Sequence, residues 1–263
     1  MLSKKRQRNH RGTRLVTRTL EASYSNAMAS ELSPTRLDHL RILFEDDDLI
    51  AVDKPPGIPS QPTLDPRRFH MALAVELALR ARGEASVYVG QHQRLDLDTS
   101  GVLLFTKAKR ANKNLGEQFR EHRLQKTYVA LVASSRLQVG SQWEVRNHLA
   151  IESKSSGRLK SVRSGGDYAE TKFEVLSTSE RSSLIEARPR TGRRHQIRVH
   201  LAERGLPILG DATYARPGVR DLAPRLMLHA RRLELQHPVT GAELVIEAPL
   251  PKDFLEVMSR FGL

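Results

Sequence analysis

Apolar residues in this chain follow two rhythms. Short runs crowded with β-branched and aromatic residues read as strands, and stretches with every-fourth spacing read as helices. RILFE (41–45), a DDD turn and LIAVD (49–53) predict a hairpin that ends in KPPG (54–57), a tight turn of restricted backbone. FHMALAVELALRAR (69–82) predicts a helix. VYVG (87–90), GVLLFTK (101–107) and KTYVALV (126–132) predict strands. Between the last two, Ala111, Leu115 and Phe119 recur every four residues, as on one helix face. Residues 152–166, rich in Ser, Gly and basic residues, predict a mobile loop. TKFEVLS (171–177), SLIEARP (183–189), RLMLHARRLEL (225–235) and AELVIEA (242–248) predict further strands. TGRRHQIRVHLAERG (191–205) predicts a helix capped by Thr191 and closed by Gly205. Strands outnumber helices and the links are short. The expectation is an α+β fold, a mainly antiparallel sheet with its helices on one side.

Composition narrows the class. The 263 residues suffice for one large domain or two small ones with a real core, and 39% are hydrophobic. A net charge of +13 favours a polyanionic partner, nucleic acid ahead of an anionic membrane surface. Residues 1–20 carry seven of the 43 Lys and Arg and no acid, so residues 1–40 read as a disordered basic arm ahead of a folded domain at 41–263. No apolar run reaches the length of a membrane span, and no long apolar heptad is left over, so the expectation is a monomer with no membrane partner. The absence of cysteine excludes disulfides, thiol nucleophiles and thiolate zinc sites, and it is compatible with the reducing cytoplasm, where we place the chain.

No dinucleotide, Walker or zinc-protease fingerprint occurs, and His195 and His200 lack a convincing metal spacing, so neither cofactor nor metal is expected. Chemistry then falls to ordinary side chains. QRLDLDTSG (93–101) sets Arg94, Asp96 and Asp98 at alternate positions, on one face if the segment is extended. Two carboxylates so close repel, and one can become an acid; alternatively Asp98 caps the turn through Thr99 and leaves Asp96 alone. In the 191–205 segment Arg194 and Arg198 lie four apart, one helical turn, within a cluster that includes Arg181, Arg188, Arg190 and Arg193. Interleaved Ile197, Val199 and Leu201 give the segment a buried side. A buried arginine wants a carboxylate, and Asp96 is available. Tyr128, within an apolar strand, reads as a core tyrosine or a site residue.

Five segments in order carry a resemblance: DDDLIAVDKPPGIPSQP, QRLDLDTSGVLLFTK, LQKTYVALV, RTGRRHQIRVHLAERGLPILGD and PRLMLHARRLELQHP. Together they resemble the RluA-type RNA pseudouridine synthases, from about Ile42 to Phe254. The resemblance implies the pseudouridine-synthase catalytic fold with an active-site cleft. It also implies isomerisation of uridine in ribosomal or transfer RNA, without redox change, ATP or metal. It makes Asp96 the catalytic aspartate, with Arg198 its ion-pair partner, Tyr128 the active-site tyrosine against the base and Ile197 an apolar wall for the uracil. Arg94, Arg194, Gln93 and Thr99 complete the RNA-contacting set. The family's usual pattern has His where this chain has Gln93, with His92 one place earlier. Two other classes compete with this reading. One is a non-catalytic RNA-binding or ribosome-assembly factor of the same fold; the other is a carboxylate-pair hydrolase using Asp96 and Asp98.

Overall fold

The computed structural model describes residues 40–84, 86–134, 137–153 and 157–263. The basic arm predicted ahead of the folded domain therefore lies outside the described residues, apart from Leu40. Residues Leu40–Leu263 form one compact unit. Eleven strands make one sheet in the order β1-β2-β4-β10-β5-β9-β8-β6-β7, with β3 beside β4 and β11 beside β10. The strands are β1 (Ile42–Glu45), β2 (Leu49–Lys54), β3 (Gly90–Gln91), β4 (Ser100–Thr106), β5 (Gln125–Ala133), β6 (Gln142–Ser153), β7 (Arg158–Val162), β8 (Asp167–Thr178), β9 (Ser182–Pro189), β10 (Leu228–Gln236) and β11 (Glu243–Glu247). Every pairing is antiparallel except β4 with β10. The helices are α1 (Met71–Ala81), α2 (Lys109–Arg120), α3 (Gln196–Glu203), α4 (Pro217–Arg220) and α5 (Lys252–Arg260).

The helices do not keep to one side, contrary to the pattern expected from short links. On one face of β2 and β4, Ile50, Val52, Leu103 and Phe105 pack with Met71, Val75 and Leu79 of α1. On the other, Leu49, Ala51, Val102 and Leu104 pack with Ala111 and Leu115 of α2. The sequence reason is plain in hindsight. LIAV and VLLF are apolar at every position, and a strand that alternates sides with such a run has two faces to bury. Phe119, partly buried, continues the α2 stripe as its four-residue spacing required. His70 starts α1, its Nδ1 accepting the Leu73 N–H at 3.2 Å. Deleting a fully buried side chain such as Leu115 would cost about 2–5 kcal/mol.

Two stretches were misread from pattern alone. Residues 152–166 are largely strand where described: 152–153 end β6 and 158–162 form β7, with 163–166 a bend and residues 154–156 outside the described set. Leu159 is buried against Leu149 and Val199, and its N–H donates to Tyr214 Oη at 2.9 Å, which gives this edge strand an anchor that Ser and Lys neighbours conceal. β6 itself gave no strand signal. Its inward face carries Asn147, whose Oδ1 meets His200 Nε2 at 2.9 Å, and that polar residue interrupts the apolar alternation. VYVG contributes only Gly90 to a two-residue strand, while Val87 and Val89 pack beside the α1 core. Among the described residues no helix is long and apolar enough to cross a membrane.

Candidate active site

The segment carrying Asp96 enters the sheet at one demanding point. Ser100 and Gly101 of β4 lie parallel to His229 and Ala230 of β10. Gly101 has φ +108°, and a Cβ there would stand 2.2 Å from the Ala230 carbonyl oxygen. Only glycine tolerates both the conformation and the approach, which explains the T-S-G ending of the motif. Ser100 Oγ and His229 Nδ1, both buried, lie 2.9 Å apart across this junction.

Upstream, the KPPG turn holds the same segment through its backbone. Ser60 Oγ accepts the Leu95 N–H and donates to the Leu95 carbonyl, both at 3.0 Å. Gly57 N–H donates to the Leu97 carbonyl at 3.0 Å, and Lys54 Nζ donates to the same carbonyl at 2.8 Å and to that of Pro55 at 2.8 Å. Lys54 is fully buried, and burial lowers its ammonium to about 7 against the opposing pull of Asp98 and Asp96. KPPG is therefore more than a turn. Thr99 N–H donates to the Asp96 carbonyl at 3.2 Å and closes the bend, while Asp98 makes no hydrogen bond among the described residues and caps nothing. Asp96 lines the central pocket and Asp98 does not, so the two carboxylates are not a pair there.

Facing Asp96 is the segment before α3. It is not helical from Thr191, as its residues suggested. His195 sits at φ 54°, in left-handed backbone, and the helix begins at Gln196. Thr191 Oγ1 instead donates to Gln196 Oε1 at 2.7 Å and accepts the Glu170 N–H at 3.0 Å. The Gln196 amide donates to the Glu170 carbonyl and to Thr171 Oγ1, each at 2.9 Å, fastening the loop to β8. Because Arg194 precedes this break, it does not share a helix face with Arg198. Its guanidinium donates instead to the Gly157 carbonyl in the β6–β7 turn. The predicted arginine cluster is likewise dispersed: Arg188 pairs with Glu186, Arg190 with Glu170, and Arg181 lies over the Phe261 ring.

Arg198 does reach Asp96. Its Nη1 donates to Asp96 Oδ2 at 3.2 Å. The rest of the guanidinium is committed to Asp211, through Nε at 2.8 Å and Nη2 at 2.7 Å, and lies over the Tyr214 ring 5.2 Å from its centroid. Burial alone would lower the Arg198 pKa, but the two carboxylates more than reverse that. Burial likewise opposes ionisation of Asp211, yet the Arg198 bonds and the N–H groups of Thr213 and Tyr214 hold it below the usual range. His195 Nε2 stands 4.0 Å from Asp96 Oδ2, and its Nδ1 lies 3.0 Å from Tyr214 Oη. Burial lowers its pKa to about 4, with Asp96 pulling the other way, so it is neutral near pH 7.

The pocket mouth brings together Arg94, Asp96, Thr99, Tyr128, Ile197 and Arg198. Tyr128 of β5 sits between Ala187 and Ala230 in register, small neighbours that leave its ring room. Its hydroxyl is pushed well above its usual pKa by burial and by Asp96. Ile197 and Thr99 are buried, and Thr99 Oγ1 has no hydrogen-bond partner among the described residues. Arg94 is exposed and makes no hydrogen bond or ion pair among the described residues. Gln93 lines the groove on one side, its Nε2 3.5 Å from the Val102 carbonyl, and Arg194 lines the other side. Sequence reasoning missed His195, Lys126, Asp211 and Tyr214. The need of a buried arginine for more than one acceptor, with an Asp in the nearby LPILGD, was the available signal. One group among the described residues, Asp46, Asp48 and His237, has metal-like spacing. Its members are already partnered: Asp48 with Arg110 at 2.6 Å, and His237 with Asp46 at 2.8 Å while its Nδ1 accepts two backbone N–H groups.

A partly exposed carboxylate, held by one N–H beside an apolar wall and a buried phenol, suits chemistry on a flat polar ring. The comparisons agree. The profile of the RNA pseudouridylate synthase family matches residues 48–203. The chain is 34% identical over 219 residues to the "Dual-specificity RNA pseudouridine synthase RluA" of Haemophilus influenzae, covering 83% of this chain and 96% of that one. It is 36% identical over 216 residues to the "Uncharacterized RNA pseudouridine synthase YhcT" of Bacillus subtilis, covering 81% and 70%. The solved structure of "Human RNA Pseudouridylate Synthase Domain Containing 4" superposes with a TM-score of 0.70 at 26% identity, over 87% of this chain and 96% of that one. Nothing found favours the non-catalytic alternative. The chain belongs to the RNA pseudouridylate synthase family, to its RluA type, and is an enzyme that isomerises uridine in RNA to pseudouridine.

Proposed function

We propose that Asp96 is the catalytic carboxylate of this isomerisation, acting on a uridine flipped out of structured ribosomal or transfer RNA. The N1–C1′ bond breaks, the C5–C1′ bond forms, C5 gives up its proton and N1 gains one. One observation carries the assignment: Asp96 is the carboxylate of the central pocket, and it receives a single N–H from an Arg198 already gripped by Asp211. Arg198 is thereby shared between two carboxylates and leaves Asp96 only partly neutralised. Tyr128 packs against the uracil, and Ile197 and Thr99 close its apolar side. Flipping costs a few kcal/mol of stacking and pairing, and unpaired Arg94 at the pocket mouth is placed to hold the opened strand. Gln93 stands along the groove wall as a neutral hydrogen-bonding contact in place of the family's histidine. The +13 charge and the relatives named dual-specificity and ribosomal support an RNA of these two kinds. The cysteine-free composition suits the cytoplasm, and the exposed large apolar residues, such as Leu64, Val139, Ile151 and Leu255, are spread over separate elements, which suits a monomer.

The test is tritium release from RNA labelled at uracil C5, on ribosomal and transfer RNA fractions. Asp96→Asn should abolish release while RNA binding stays near wild type; release that survives the substitution would remove Asp96 from the chemistry. The fraction that responds names the substrate class.

A further inference from the structure

The cleft has two ends, one lined by mixed charges and one by cations alone. At the first, Asp96 and Asp98 stand among Arg68, Arg94, Arg194 and Arg198. At the other, a groove of about 610 Å³ leads from the pocket toward α2. Its cations are Arg94, Arg120, Lys126 and Arg193, and its lining contains no Asp or Glu. These cations are largely unspent. Lys126 Nζ donates to the Thr191 carbonyl at 3.0 Å, and Arg193 Nε to the Tyr168 carbonyl at 2.9 Å, but neither meets a carboxylate among the described residues. Among the described residues Arg120 has only Glu121, at 3.6 Å and well exposed. Burial, with Arg193 close by, lowers Lys126 to about 8, and the same surroundings hold His122 below its ordinary value.

Cations crowded together without a counter-charge cost free energy in the free protein, and a bound anion relieves that cost. The backbone beside Lys126 puts no side chain over it: Gly192 lies against Nζ, where a Cβ would already be in van der Waals contact at 3.6 Å. Lys126, Arg193 and Gly192 line both this groove and the catalytic pocket, so an anion held here sits next to the reacting base. Guanidinium and ammonium groups are the usual partners of phosphate oxygens.

We propose that Lys126 and Arg193 form a phosphate subsite, which takes a backbone phosphate of the RNA strand adjoining the reacting uridine and leads that strand out over β5 and α2. The proposal rests on the reading that the base is bound beside Asp96, and it fixes which end of the cleft the strand uses.

The test is the affinity of the full chain for a fluorescein-labelled heptauridylate, measured by anisotropy over a series of salt concentrations. Lys126→Met and Arg193→Gln should each weaken binding about fivefold or more at low salt and reduce the salt slope by about 0.7, the single-strand value for one lost phosphate contact. Arg193 is exposed, so its substitution reads the subsite without disturbing the core. Arg146→Gln, a basic residue already paired with Glu144, is the control and should change neither quantity. Unaltered slopes in both variants overturn the subsite, as does failure of the wild-type chain to bind the heptamer. Asp96→Asn serves as the separating control. If it still releases tritium while Lys126→Met and Arg193→Gln lose slope, the catalytic assignment falls and the subsite stands; the opposite pattern removes the subsite alone.

Discussion

The two segments that face each other across the pocket are held in opposite ways. The segment with Asp96 is fixed by its main chain: both polar groups of Leu95 go to Ser60, and the Leu97 carbonyl takes Gly57 N–H and Lys54. The segment with Arg198 is fixed by side chains, Gln196 below and Asp211 behind, around a left-handed His195. A main-chain clamp asks little of the side chains it holds, so the exposed Leu97 and Asp98 of the first segment are free to vary. A side-chain clamp fails when any member is lost. The carboxylate is thus robustly placed, and the cation that accompanies it is vulnerable.

Three substitutions probe this difference. Asp211→Asn attacks the vulnerable side and should have the largest effect. Leaving Arg198 buried with one carboxylate fewer should cost about 3–5 kcal/mol in stability, and loss of its aim should lower kcat about 100-fold. Urea unfolding and single-turnover tritium release measure the two, and a wild-type kcat would show that Asp96 does not depend on the grip of Asp211. Lys54→Met attacks the robust side. It leaves the Pro55 carbonyl without the Lys54 donor and the Leu97 carbonyl with Gly57 N–H alone, and should cost about 1 kcal/mol with a smaller loss of rate.

Lys54 also makes a pH prediction. Its folded pKa of about 7 lies below the unfolded value of 10.5, so the unfolded state binds more protons between those limits and the lysine's contribution to stability rises with pH across that window. Comparing unfolding at pH 7 and pH 9 should show a smaller gain in Lys54→Met than in wild type; equal gains would contradict the burial argument. Smallest of all, Gln93→His should alter turnover by no more than about threefold, because the Gln93 side chain makes only one long contact, at 3.5 Å. A large gain would mean that the histidine's charge matters to RNA binding in a way this groove lacks.

What could be read from the chain divides along the same line. That Asp96, Tyr128, Ile197 and Arg198 meet at one pocket was legible because the segments of the resemblance carry them, and α2 because its stripe of Ala111, Leu115 and Phe119 is periodic. Asp211 was not, since its partnership with Arg198 joins residues that only the fold aligns. The Thr191 cap failed for a related reason: Gln196, five residues on, competes for the threonine hydroxyl, and His195 breaks the helical path. Charge count also misled. Arg188 and Arg190 belong to the basic cluster read in the sequence, but Glu186 and Glu170 neutralise them, whereas Lys126 and Arg193 meet no carboxylate among the described residues.

The junction of Ser100 and Gly101 with β10 has a consequence for the order in which the molecule acquires activity. The Ser100–His229 contact bridges 129 positions of sequence. A growing chain that has emerged only as far as β9 already contains Asp96, Tyr128 and the KPPG turn, yet lacks the strand against which the T-S-G bend is set. Contacts of such long range form late and slowly. Asp96 is therefore among the first of the pocket residues to be synthesised and among the last to be seated, so a nascent or truncated chain stopping short of Leu228 carries Asp96 and Tyr128 without the strand against which the T-S-G bend is set.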